Sequence, residues 1–180
     1  MDADSKAKLH LAGYLNICSV FFYLCDFAIY YFHDRHLYYR GDVAHTIYAL
    51  LILFSAGLVA VSGILALRAK AWWLAFSGPV VGLSVLAFQI FTTQLNYYHW
   101  FRDFPWLREG SPSTLGLYPL NPGFYGSFLL GLGAFASTIS ARPDWPKWKR
   151  LLLATGAILV LIISAILSIS IRFQSTTAIE

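Results

Sequence analysis

The sequence predicts an all-α integral membrane bundle of about five transmembrane helices, and three observations point there. Apolar residues make up 58% of the 180-residue chain and charged residues only 12%, about half the usual share in a soluble domain. The apolar residues fall into five long runs, and the basic residues gather between the runs. The clearest run, Leu151–Ile171, has no charge over 21 residues, and as a helix it covers ~30 Å, the thickness of a bilayer's hydrocarbon core.

Taken in order, the first span is expected over 9–32, the second over 44–67, the third over 72–95, the fourth over 123–141 and the fifth over 151–171. None alternates as a strand does, and each is too long for one. Span four is the shortest and richest in glycine. Together the spans account for one domain, 1–180, with a single long connection at 96–122. The first half of that connection mixes aromatics with charges, which suits a segment lying in the membrane interface; the second half is punctuated by Pro and Gly and reads as irregular. A cleavable signal peptide is not expected, because the first run is too long and contains Asp26. Cys18 and Cys25 share span one, seven residues apart, too far for a bridge within one helix, and read as packed thiols.

The placement of Lys and Arg predicts an N-inside, C-outside orientation. Every lysine then falls inside (Lys6, Lys8, Lys70, Lys147, Lys149), with Arg68, Arg142 and Arg150. Trp72, Trp73, Trp145 and Trp148 form an inner aromatic belt. Small residues spaced by four, Gly78 with Gly82, Ser127 with Gly131 and Gly133 with Ser137, mark where helices approach closely. Pro79 lies inside span three, where it removes one backbone donor and favours a kink.

Two groups of residues are candidates for chemistry. The first is Asp26, the one acid inside a span. A charge there costs at least ~2.5–3.5 kcal/mol on insertion scales, so such acids face the bundle interior. Ser19, Tyr30 and His33 share its helical face and Tyr23 lies nearby. Counting inward from the span ends puts Tyr48, Gln89, Ser127 and Ser164 (or Ser168) at similar depth, an intramembrane polar pocket. Asp26 is either a proton-handling or ligand-binding group or a neutral acid that bonds to Gln89 or Tyr48 and holds helices together.

The second group is four of the five histidines, His33, His36, His45 and His99, which the topology brings to the outer face with Asp34, Asp42 and Asp103 beside them. Imidazole with carboxylate suits a transition metal, Zn, Cu or Fe. Haem b would need His45 and His99 on facing helices, at the poorly buried membrane edge. Ordinary interfacial histidines are the competing reading. Motifs for zinc hydrolysis, nucleophilic serine, the P-loop and dinucleotide binding are absent from the sequence.

These observations favour an integral subunit of a larger membrane complex, non-catalytic or supporting a cofactor site, with respiratory or photosynthetic electron-transfer assemblies as natural hosts, in the cell membrane or an equivalent energy-transducing membrane. Its partners would be the bilayer and other membrane subunits, with no nucleic acid. A redox or metal enzyme built on the outer histidines and a small transporter or lipid-binding module built on Asp26 are the alternatives. Five spans without an inverted repeat are few for a transporter.

Overall fold

The structure, a computed structural model, describes residues 2–33, 43–69, 71–103, 121–142 and 144–177. All five expected spans are helical: α1 (Ala3–Ala28), α2 (Val43–Leu67), α3 (Trp72–Asp103), α4 (Pro122–Ser140) and α5 (Lys147–Thr177). Four of them are long and apolar enough to cross a membrane, over Ala3–Ala28, Ala49–Leu67, Trp72–Gln89 and Pro122–Ser140. The fifth, α5, contains the uncharged run at its centre.

Helices α1 to α4 form a closed antiparallel bundle. α1 packs on α2 and α4, α3 closes the ring between α2 and α4, and α5 lies outside against α3. One end gathers the start of α1, the α2–α3 turn and the α4–α5 corner. The other gathers the end of α1, the starts of α2 and α4 and the end of α3.

Burial runs opposite to that of a soluble bundle. Large apolar side chains face outward, with Phe21 65%, Leu50 64%, Leu129 67% and Leu151 68% exposed, as expected where lipid is the solvent. The inner stripe of α1 is Ser5, Leu9, Ala12, Asn16, Ser19, Tyr23 and Asp26, spaced alternately by four and three, the spacing of a bundle seam. Cys18 falls off that stripe and is exposed rather than packed; Cys25 is half-buried, and both are free thiols.

Without a hydrophobic drive between helices, close packing must hold the bundle, and glycines permit it. A Cβ on Gly13 would meet the Gly63 carbonyl at 2.9 Å, and one on Gly63 would meet that of Gly13 at 3.1 Å, so α1 and α2 touch backbone to backbone. The expected Gly78 and Gly82 both lie at contacts, Gly78 on Ser62 of α2 and Gly82 on the Tyr23 hydroxyl of α1.

Several ends differ from expectation. α1 starts at Ala3 because Asp2 caps it, accepting from the Ser5 N–H at 2.8 Å. α3 continues to Asp103, so residues 96–103 of the long connection are helix. No Pro or Gly lies between Asn96 and Pro105 to stop the helix sooner, and a residue before proline disfavours helix. Trp72, expected in the inner belt, faces into the bundle. It is 7% exposed and its indole donates to the Thr138 carbonyl at 2.9 Å. That carbonyl is open because α4 tightens at its end, where the Arg142 N–H bonds Ile139 instead.

Candidate functional site

A buried polar centre joins three helices around Asp26. The carboxyl is fully buried, at 0% exposed. Its Oδ1 accepts from Gln89 Nε2 of α3 at 3.1 Å and from Asn121 Nδ2, just before α4, at 2.5 Å. The same Asn121 amide uses its oxygen to cap α4, accepting from the Phe124 N–H at 2.9 Å. One side chain therefore starts α4 and anchors it to α1. Gly123 completes the junction: a Cβ there would strike the backbone N and Cα of Asp26 and the carbonyl of Phe22. Three residues after Asp26 the chain turns into a π-helical segment, Ile29–His33, a form that recurs at functional sites.

Four polar atoms in the interior have no hydrogen-bond partner among the described residues: Asn16 Oδ1, Tyr23 Oη, Ser55 Oγ and Gln89 Oε1. Their residues are at most 1% exposed. Tyr23 lies one turn before Asp26, and Gln89 touches it. Ser55 lies one turn from Val59, which packs beside Tyr23 and Gly82. An unmade bond in a buried site costs ~1–3 kcal/mol, and buried water is the usual remedy.

A second polar junction lies nearer the other end. Asn16 Nδ2 of α1 donates to Ser62 Oγ of α2 at 3.2 Å, and Ser62 donates to the Ala75 carbonyl of α3 at 2.7 Å. Residue 75 is four before Pro79, so its carbonyl is the one the missing proline N–H leaves open.

The sequence-selected residues distribute as follows. Asp26 and Gln89 meet. Ser127 is fully buried, but its hydroxyl donates to its own helix at Gly123 O, 2.8 Å away. Ser164 donates to the Ser84 carbonyl at 2.7 Å and fastens α5 to α3. The side chains of Tyr30, Tyr48 and Ser168 lie outside the described residues. So do those of His33, His45 and His99, whose backbones belong to helix ends at the Asp26 end of the bundle, and all of His36. Among the described residues no three of His, Cys, Asp and Glu come together.

Asn121, Asn16 and Ser62 were not selected from the sequence. Asn121 had a signal: Asn-Pro-Gly before an apolar run is a helix start, with Asn at the cap and Pro in the first turn. Comparison with protein-family models, curated proteins and solved structures finds no match for this chain.

Proposed function

We propose that the protein is a non-catalytic helical subunit of a membrane complex, whose polar interior sets the shape of the bundle and whose apolar exterior meets lipid and partner subunits. The observation supporting this is the engagement of Asp26. An acid inside a membrane bundle is expected to be functional by default, yet here its Oδ1 ties α3 and the start of α4 to α1. Electron-transfer assemblies remain natural hosts, since they use small helical subunits with short loops. Purification of the full chain in mild detergent tests the reading. Stoichiometric membrane partners are expected, and a monomer without them overturns it.

A second reading, a proton- or small-ligand-handling centre at Asp26, is favoured by the unpaired Tyr23, Ser55 and Gln89 atoms. Under it those atoms bind water or a small polar ligand, and Tyr23→Phe lowers the melting temperature by removing a bonded hydroxyl. A rise on Tyr23→Phe identifies a dry, unpaired hydroxyl and ends this reading, because removing an orphaned polar group relieves its desolvation cost.

A further inference from the structure

The two ends of the bundle differ in charge. The segments at the start of α1, the α2–α3 turn and the α4–α5 corner hold eight basic residues and three acidic ones. In the sequence, the segments 33–43, 96–122 and 172–180 hold five of each. At the basic end, Arg142 and Lys149 are held around one indole. The Arg142 guanidinium carbon lies 5.3 Å from the Trp145 ring centre and 5.6 Å from that of Trp72. Lys149 Nζ lies 4.3 Å from the Trp145 centre. Trp72 and Trp145 pack edge to face with centroids 4.9 Å apart, so the platform is anchored in the bundle.

Two like charges on one ring repel each other. Asp144 answers Arg142 at 3.6 Å, but it is 59% exposed and well solvated. The Nε atoms of Arg142 and Arg150 are buried and have no acceptor among the described residues. Among the described residues the corner thus gathers cations around one indole, with the single exposed carboxylate of Asp144 beside them. Immediately beyond it, Trp148, Leu151 and Leu152 are 66%, 68% and 63% exposed, an apolar strip continuing into the membrane-facing side of α5.

We propose that the Arg142–Trp145–Lys149 corner binds the phosphate headgroup of an anionic phospholipid, with its acyl chains along Trp148, Leu151 and Leu152. A guanidinium stacked on indole keeps its edge free for paired hydrogen bonds to phosphate oxygens. An ammonium beside it supplies a second charge, and each basic residue near an anionic membrane surface strengthens binding about fivefold. The apolar strip next to the cations selects a lipid over free phosphate.

The test uses the full chain in neutral detergent, titrated with phosphatidylglycerol or with phosphatidylcholine of the same acyl chains and read by native mass spectrometry. Preferential retention of phosphatidylglycerol is expected, and the double variant Arg142→Gln with Lys149→Gln should lower that preference roughly tenfold or more. Arg142→Lys with Lys149→Arg, which keeps both charges, should retain most of it and guards against a fold defect. Lys6→Gln, at the same end but away from the corner, should change little. Equal retention of both lipids, an equal loss on Lys6→Gln, or displacement by inorganic phosphate alone would overturn the proposal.

Discussion

The Ser62 hydroxyl of α2 donates to the Ala75 carbonyl of α3 at 2.7 Å, and so occupies the acceptor that Pro79, four residues on, leaves open in its own helix. A proline inside a membrane helix is tolerated when a neighbouring serine replaces the missing donor.

Ser62→Ala should therefore destabilise the bundle by about 1–3 kcal/mol, since it strands a buried carbonyl and the Asn16 amide together. Pro79→Ala restores a donor for Ala75 and should reduce that loss when the two changes are combined. Thermal unfolding of both single variants and the double variant in one detergent measures the coupling. Strict additivity would show that the two residues do not share the carbonyl.

Asn121→Ala removes two functions, the cap of α4 and the link to Asp26. Asn121→Ser keeps a capping oxygen and loses only the link. The alanine variant should be the less stable by about 1 kcal/mol, the usual worth of an N-cap. The serine variant should still lose about 1–3 kcal/mol because Asp26 gives up a buried donor. Unfolding midpoints in denaturant compare them.

Gly123→Ala and Gly156→Ala should have opposite effects. At Gly123 the new methyl meets the backbone of α1, which cannot rotate away, so α4 must shift and about 1–3 kcal/mol is lost. At Gly156 nothing lies within 4 Å, and the better helix propensity of alanine should add up to about 1 kcal/mol. Melting temperatures separate the two.

Hydrogen bonds from Ser5, from its side chain and then its backbone, hold the Asp2 carboxyl below its ordinary pKa. A depressed pKa means that the stabilisation is present above the unfolded-state value and is lost as pH falls through the folded one. The first turn of α1 should thus fray only below the usual carboxylate range. Amide exchange at Ser5 reports it, and Asp2→Asn, which still caps, should remove the pH dependence.

Five helices were legible in the sequence because uncharged runs of membrane length have few other solutions. Depth counting put Gln89 level with Asp26, and those side chains meet. The same counting put Ser127 and Ser164 in the pocket, where the structure shows one bonding its own helix and the other fastening α5. Depth along an axis does not say which way a side chain faces. Asn121 was hidden by its place in a Pro/Gly-punctuated connection. Pro79 announced an open carbonyl, but only packing could bring Ser62 to it. Composition set Trp72 at a span end, and only packing shows that its N–H finds a buried acceptor at the shortened end of α4.

The inverted burial of this bundle also shapes how its sequence can drift. Positions such as Phe21, Leu50 and Leu129 face outward from the bundle, so one greasy residue there can replace another at little cost. The seam of Gly13, Gly63, Gly82 and Gly123 has no such latitude, because an added carbon meets a neighbouring helix at each. Distant descendants of this chain should have an almost unrecognisable coat around a nearly unchanged line of small and polar residues, and that line is where kinship should be sought.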